Sequence, residues 1–323
     1  MKGFEAEFRD LDHYIRVITD RIWEGQRIDD IRRYYSDDCA VETPSSVSIG
    51  IDPVMEGTRA TLVAFPDRRL LAEDVIISGD ENDGFLSSHR ILSPMTHIGP
   101  GIFGPPSERG VLVRTIADCV CINNRIVHEW LVRDQSAIAR QIGLHERDLA
   151  QRWLNERAGE RSGFGKSTMP AVPAPYVSFI DSNPMAQRFL QNYREMWSAK
   201  ASKQSQLLFD DHVIVALPGG EMAVGAARSR FWDGLVEALP GSQFEVEHLV
   251  ANERAGRATS IAMRWRVQST HSGEGRYGAP TGRPIEVLGI SHADVVQGRV
   301  VREWVLIDEV ALWMQILQPH AAI

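Results

Sequence analysis

One ten-residue segment occurs twice in this chain. Residues 125–134 read RIVHEWLVRD and residues 299–308 read RVVREWVLID, so Arg, Val, Glu, Trp and Asp recur 174 positions apart (299 − 125). An apolar run that is rich in Val, Ile and Trp and interrupted by single charges is typical of a β-strand. The residues that follow, 135–142 and 309–317, have the apolar pattern of helices. The repeated unit is therefore a strand followed by a helix.

The same spacing relates other short segments. THIG at 96–99 corresponds to THSG at 270–273, and GPPS at 104–107 corresponds to GAPT at 278–281. A constant offset over most of a chain indicates an internal duplication. With 323 residues and 43% hydrophobic content, the chain can bury two cores of roughly 150 residues each. We expect two tandem domains at residues 1–160 and 177–323, joined by a Gly-, Ser- and Pro-rich linker at 161–176.

The composition disfavours several classes of function. A formal net charge of −8 gives no overall attraction to phosphate backbones, so we expect no nucleic-acid partner. No apolar run approaches the ~20 residues of a membrane span, and the N-terminus has no hydrophobic signal core, so we expect a soluble cytoplasmic protein. The three cysteines, Cys39, Cys119 and Cys121, suit neither a disulfide framework nor a zinc site.

Each half has its helical patterns before most of its strand patterns. In the first half the patterns predict helices at residues 10–24, 28–35, 58–64, 135–142 and 145–161, and strands at residues 37–44, 70–77, 85–95, 111–122 and 125–133. Asn123 and Asn124 tolerate the positive φ of a tight turn, which predicts a hairpin between the last two strands.

The first half contains THIG, GPPS and RIVHEW, and the second half contains THSG, GAPT and RVVREW. With these segments, the order of elements resembles the SnoaL-like polyketide cyclase branch of the nuclear transport factor 2 superfamily. The resemblance implies an α+β fold of two cone-shaped domains, each a curved antiparallel sheet wrapped around N-terminal helices and enclosing a mostly apolar pocket. Domains of this family often pair through their sheets, which implies an intramolecular pseudo-dimer, and further self-association of the chain is also open. The superfamily contains both enzymes and non-catalytic modules, so the fold does not decide the function.

The chain departs from the family pattern at two positions per half. Where ketosteroid isomerases carry a catalytic aspartate, the first half has Thr43 and the second has Leu217. An inward-facing Asp of many relatives aligns with Ala117 and Ser291. None of these four side chains titrates near neutral pH, so the resemblance does not favour a steroid-isomerase mechanism.

Two histidines are the main candidates for acid–base chemistry. His89 and His97 are eight residues apart on or beside one strand, and an even separation places both on one face if the strand stays regular. Histidine is a natural acid or base near neutral pH. His271 repeats His97, but Met263 replaces His89, so only the first half has the pair. The alternative is a surface histidine or one held by structural hydrogen bonds.

Two carboxylates are further catalytic candidates. Asp118 interrupts an apolar strand, and alternation from Ala117 points it away from the pocket, which favours a structural or interface role. Glu42 is next to the missing aspartate and is a possible replacement base, although alternation places it on the opposite face as well.

The leading hypothesis is a cofactor-independent acid–base enzyme that uses no metal. It would perform lyase, dehydratase, isomerase or cyclase chemistry on a small, largely apolar carbonyl or hydroxylated compound in the first-half pocket. Arg90 would orient an anionic group, and His271, Trp23, Tyr35 and Trp130 are substrate-binding candidates whose aromatic rings equally suit a packed core. The alternative is a non-catalytic binding or assembly module, which a pocket without converging polar groups would indicate.

Overall fold

The computed structural model describes residues 1–156, 179–198 and 208–318. The expected linker at 161–176 and the domain limits on either side of it lie outside these ranges.

The first half starts with helices and continues into a sheet. Asp10 caps the first helix by accepting a hydrogen bond from the backbone N–H of His13 at 2.8 Å. The helices are α1 (Leu11–Thr19, continued by a π-helical turn at Asp20–Glu24), α2 (Ile31–Tyr34), α3 (Ile51–Ala64), α4 (Gln135–Ile142) and α5 (Glu146–Glu156). The strands are β1 (Tyr35–Thr43), β2 (Ser46–Ile49), β3 (Leu71–Asp80), β4 (Gly84–Thr96), β5 (Gly110–Ile122) and β6 (Arg125–Arg133).

Helix α3 is longer than the sequence pattern predicted. It begins at Ile51, directly after Gly50 with a φ of 94°, whereas residues 51–57 were expected to form a loop. Pro53 lies in the first turn, where a missing N–H costs nothing. Asn123 and Asn124 form the predicted hairpin turn, with φ values of 48° and 66°.

The second half repeats this arrangement. Its helices are α6 (Pro184–Trp197), α7 (Ser229–Ala238) and α8 (Glu309–Leu317). Its strands are β7 (Phe179–Ile180), β8 (Phe209–Leu217), β9 (Glu221–Val224), β10 (Gln243–Asn252), β11 (Thr259–Thr270), β12 (Pro284–Val296) and β13 (Arg299–Leu306). The chain is thus α+β with two tandem domains of the expected cone type.

Each half has one mixed sheet. The strand orders are β2-β1-β6-β5-β4-β3 and β7-β10-β11-β12-β13-β8-β9. Most strand pairs are antiparallel, as expected, but β1 runs parallel to β6, β8 runs parallel to β13 and β7 runs parallel to β10. These partners are far apart in sequence, so no hairpin forces them to be antiparallel.

The first sheet has an inner and an outer face. The inner face packs against α1, and its buried residues include Ala117, Cys119 and Cys121. The outer face carries Ile116, Val120 and Trp130, which cluster with Ile290 and Trp304 of the second half. Because neighbouring residues of a strand point to opposite faces, the side chains of β4 and β5, and those of β6 from His128 onward, can each be assigned to one face. Before His128 the register between β5 and β6 shifts by one residue.

The two outer faces make reciprocal contacts. The Arg264 guanidinium lies 3.5 Å from the centre of the Trp130 ring, and the Arg90 guanidinium lies 3.5 Å from the centre of the Trp304 ring. These four residues are two pairs at the 174-residue spacing. Each half therefore supplies one Arg and one Trp to the same seam, and each Arg contributes a cation–π contact.

Candidate active site

The carboxylate candidates Asp118 and Glu42 lie on the outer face. Asp118 is fully buried, accepts a hydrogen bond from Arg264 Nη1 at 2.7 Å and accepts a second from the Ser88 hydroxyl. Glu42 bonds to His128 Nε2 at 2.8 Å and accepts from Arg266 at 3.2 Å. Both carboxylates hold the halves together through arginines of the second half, and neither faces the inner side of the sheet.

Arg90 and Trp130 also belong to the seam. Arg90 donates from Nη1 to His292 Nδ1 at 3.0 Å, so the His292 ring carries its proton on Nε2. That proton points to the Ser88 hydroxyl oxygen, 2.7 Å away. The guanidinium and the indole are thus occupied by the second half, which separates both residues from the inner face where they were expected to bind substrate.

His97 and His271 hold the loops that follow β4 and β11. His97 is fully buried, its Nδ1 lies 3.1 Å from the Ser107 hydroxyl, and its carbonyl accepts from the N–H groups of Ser107 and Glu108. His271 repeats the contact with Thr281 at 3.1 Å. His97 lies eight positions after His89, just beyond the end of β4, which is roughly 26 Å along an extended chain at 3.3 Å per residue. The structure therefore does not bring the expected acid–base pair together.

The inner face presents a different titratable group, Glu129 on β6. Its neighbours across the sheet are Cys119 on β5 and Val41 on β1, both inner-face residues. Its Oε2 accepts a hydrogen bond from the Tyr35 hydroxyl at 3.0 Å. Tyr35, a substrate-binding candidate, thus lies on the inner side, and Trp23 packs against the same apolar cluster.

Burial controls the protonation of Glu129. The side chain is 7% exposed, and desolvation raises the pKa of its carboxyl from 4.5 to about 7. The Tyr35 hydrogen bond and the positive charge of Arg133 act against this rise. A carboxyl with this pKa exchanges protons readily at neutral pH, as a general base requires.

His89 also lies on the inner face, between Val75 on β3 and Ala117 on β5. It is 3% exposed, and its Nε2 has no hydrogen-bond partner among the described residues. Burial, assisted by the charge of Arg16, lowers the pKa of its imidazole to about 3. His89 is therefore neutral at pH 7, so it can offer a hydrogen bond but not a charge.

The corresponding carboxylate of the second half, Glu303, is buried and bonded to the hydroxyl of an aromatic side chain. The Tyr193 hydroxyl lies 2.8 Å from Glu303 and 2.7 Å from the Ser291 hydroxyl, which also accepts from the Trp265 indole at 3.0 Å. A Cβ added to Gly289 would collide with the Trp265 ring, so the packing there is tight.

Three replacements distinguish the two inner faces. The larger or more apolar residue is always in the second half: Phe209 for Tyr35, Met263 for His89 and Trp265 for Ile91, each 174 positions on. Trp265 also contacts the rings of Trp197 and Trp232, with centroid distances of 6.0 and 6.3 Å. At these three positions the first half is therefore the more polar, whereas Ser291 of the second half replaces Ala117.

The described ranges contain neither a metal cluster nor a membrane span. No group of three or more His, Cys, Asp or Glu side chains in them is arranged to hold a metal ion. No helix in them is long and apolar enough to span a membrane. All three cysteines are free thiols and buried.

The family model of the SnoaL-like polyketide cyclases matches the chain twice, at residues 14–142 and at residues 187–316. The chain belongs to the SnoaL-like polyketide cyclase family. The two matches confirm the tandem duplication that the 174-residue spacing predicted, with one SnoaL-like domain in each half.

Several solved structures are similar to one SnoaL-like domain of the chain. One is AclR, a putative hydroxylase from Streptomyces galilaeus, which is 24% identical over 41% of this chain and 96% of its own, with a TM-score of 0.34. IdmH, a putative polyketide cyclase from Streptomyces antibioticus, is 21% identical over 42% of this chain and 99% of its own, with a TM-score of 0.35. A SnoaL-like polyketide cyclase from Agrobacterium tumefaciens shows the same identity, coverage and TM-score as IdmH. No curated protein matches the chain with statistical significance.

The sequence interpretation overlooked Glu129 although it lies in the repeated segment. Glu129 directly precedes Trp130, and Glu303 directly precedes Trp304. Since Ala117 was assigned to the pocket side, pairing β5 with β6 was the missing step: Ala117 pairs with Leu131, which puts Glu129 on the same side. The neighbouring residue Trp130 lies on the opposite, outer face of this SnoaL-like sheet.

Proposed function

We propose that the first half of this SnoaL-like chain is a cofactor-independent acid–base enzyme. Glu129 takes and returns a proton on a small, largely apolar carbonyl or hydroxylated compound bound at the inner face. The observation that supports this most is a buried carboxyl with a pKa of about 7 that is oriented by the Tyr35 hydroxyl at 3.0 Å. The same face carries His89, whose Nε2 has no partner among the described residues.

The chemical step starts with Glu129 as carboxylate. It accepts a proton from a carbon next to a carbonyl group, and the C–H electron pair forms the enolate. The resulting carboxylic acid then returns the proton, either to a carbon or to a departing hydroxyl oxygen, which covers isomerase, lyase, cyclase and dehydratase outcomes. In this proposal neutral His89, on the same face of the sheet, donates a hydrogen bond to the enolate oxygen.

The second half has a supporting role in this proposal. Its inner face is filled by rings, whereas its outer face pairs with that of the first half through Arg264 and Trp304. We infer an intramolecular pseudo-dimer in which the second half stabilises the sheet that carries Glu129. We infer that the protein acts in the cytoplasm and that its partner is a small molecule.

The competing function is a non-catalytic binding module. It is favoured by Ala117 and Ser291, which stand where many relatives carry an inward-facing Asp. The two functions differ in whether a bound compound exchanges protons.

Solvent deuterium exchange tests the proposal whatever the final product of the reaction is. A panel of aromatic, polyketide-like and short-chain carbonyl compounds is incubated with the full chain in D₂O, and mass spectrometry follows deuterium uptake next to the carbonyl. The chain should accelerate uptake for at least one compound. Glu129→Gln should abolish that acceleration, while the matched Glu303→Gln should retain it.

Two results would contradict the proposal. Acceleration that survives in Glu129→Gln would remove Glu129 as the base. Binding of compounds without any exchange across the panel would favour the binding module.

A further inference from the structure

The two halves border an open groove of about 530 Å³. Its first-half wall is formed by α1 and by β3, the edge strand of the first sheet, and its second-half wall by Asn252 and the turn between β10 and β11. The Asn252 side-chain amide joins the two walls, because it donates to the Ile77 carbonyl at 2.8 Å and accepts from the Ile77 N–H at 2.7 Å. Direct contacts between the halves therefore hold the groove in shape.

Two of the three arginines that line the groove lie at the ends of one turn. The Arg257 N–H donates to the Arg254 carbonyl at 3.1 Å, so the Cα atoms of these two residues are less than about 7 Å apart. Arg254 donates from Nη2 to Asp74 Oδ2 at 2.7 Å and to the Ser260 hydroxyl at 2.8 Å. These two bonds fix the Arg254 guanidinium at the wall of the groove.

Both of these arginines have donors to spare. The Arg254 Nε is buried and has no acceptor among the described residues. Arg257 is exposed, and its side chain makes no hydrogen bond or ion pair with any part of the chain that the structure describes. A buried donor without an acceptor costs free energy, which a ligand that supplies the acceptor would recover.

The carboxylates that line the groove are already engaged. Asp12 accepts from Arg16 Nε, the third lining arginine, at 2.9 and 3.0 Å. Glu73 accepts from Arg114 at 3.0 and 3.1 Å and from Arg90 at 3.2 Å. The lining thus has three arginines and two carboxylates, and both carboxylates are paired. This surface is therefore positively charged, although the whole chain has a formal net charge of −8.

The internal duplication shows that the three arginines are specific to this groove. The residues at the 174-residue spacing are apolar or acidic: Leu190 for Arg16, Asp80 for Arg254 and Asp83 for Arg257. The related sheet edges also differ. In the second half, β7 pairs with His248 and Leu249 of β10, whereas their counterparts on β3, Asp74 and Val75, have no strand on their outer side in the described sheet. Only the β3 edge combines an uncovered strand with this basic turn.

We propose that this groove binds a small organic anion. Its phosphate or carboxylate group contacts the guanidinium groups of Arg254 and Arg257, whose fork-shaped donors match such oxygens in bidentate geometry. Its apolar part contacts Val75 and Ile77, which also line the groove. The site does not depend on the reaction proposed for Glu129.

Calorimetric titration of the full chain with phenyl phosphate, benzoate and uncharged phenol tests the inference. At least one of the two anions should bind, the tighter one identifies the group that the site prefers, and phenol should not bind. Arg257→Gln should weaken anion binding by about ten-fold, as expected for loss of a charge-assisted contact. The matched control is Arg230→Gln, which removes another exposed arginine without a described side-chain partner and should bind as the wild type does.

Two further variants separate the possible failures. Arg254→Gln should also weaken binding, but it leaves the buried Asp74 without its ion pair, so a thermal melt must show that the variant is folded. Arg257→Gln loses no described contact and tests the site even if Arg254→Gln does not fold. Glu129→Gln should bind the anion as the wild type does, and a loss of binding there would place the anion at the inner face instead.

Four other results would overturn the anion site. They are the absence of binding by both anions, equal binding of phenol, unchanged affinity in Arg257→Gln, and an equal loss of affinity in Arg230→Gln. The last result would show a general effect of net charge. Deuterium exchange that depends on Glu129 would support the proposed function in each of these cases.

Discussion

Replacing Glu129 with Gln should make the protein more stable at high pH and leave its stability nearly unchanged at low pH. Gln has the size of Glu and can still accept the Tyr35 hydrogen bond, but it never ionises. In the native protein the carboxyl has a pKa of about 7, and in the unfolded chain it has its ordinary value of 4.5. Between these values the native state binds more protons than the unfolded state.

The sign and size follow from that difference. Below pH 4.5 the carboxyl is protonated in both states and costs nothing. As the pH rises from 4.5 to about 7, the wild type loses stability that the Gln variant keeps, and above about 7 the difference is constant. The gap between 4.5 and about 7 amounts to about 3 kcal/mol at about 1.4 kcal/mol per pH unit. The variant should therefore gain about 3 kcal/mol at pH 8 and less than about 1 kcal/mol at pH 5.

Urea unfolding followed by circular dichroism at pH 5, 6, 7 and 8 measures this gain. Other buried carboxyls contribute equally to both proteins, so they cancel in the difference between the variant and the wild type. Glu303→Gln should show a gain of the same sign, because burial raises the pKa of that carboxyl too. A difference that stays constant from pH 5 to pH 8 would show that Glu129 has an ordinary pKa and would refute the reasoning.

Three other substitutions test separate parts of the structure. Arg264→Met leaves Asp118 buried without its ion pair and should lower the free energy of unfolding by about 3 to 5 kcal/mol, which a lower urea midpoint would show. An unchanged midpoint would contradict a stabilising role of this ion pair between the halves. His97→Ala should lower the melting temperature without slowing deuterium exchange, and the reverse pattern would restore His97 as a catalytic group. Gly99→Ala would press a Cβ against the Val63 carbonyl oxygen and should cost about 1 to 3 kcal/mol in urea unfolding, whereas a neutral effect would contradict this packing.

Local signals in the sequence predicted much of the fold. The repeated segment fixed the domain number, and β6 and α4 have the bounds that its pattern predicted. Helix α3 was predicted too short because its predicted start, residue 58, follows a glycine, Gly57, that lies inside the helix. The parallel pairing of β1 with β6 joins residues about ninety positions apart, such as Val41 and Glu129, and periodicity within a strand contains no information about such partners.

The candidate site was harder to predict than the fold. Alternation assigned Asp118 and Glu42 to the face away from the pocket, and the structure has both there. The role of Glu129 depends on burial and on Tyr35, which is 94 positions away. Arg68 lies in an irregular segment without periodicity, so only the folded chain shows that its side chain is buried. A pKa set by burial and distant neighbours cannot be derived from local sequence.

The pH dependence of deuterium exchange, measured for the wild type and for Tyr35→Phe, tests most directly whether Glu129 is the base. The wild-type rate should rise with pH around about 7, because the carboxylate is the active form. The Tyr35 hydrogen bond holds the pKa of Glu129 down, so its removal should move the midpoint to higher pH. A midpoint that does not move in Tyr35→Phe, or the same profile in Glu129→Gln, would contradict the assignment.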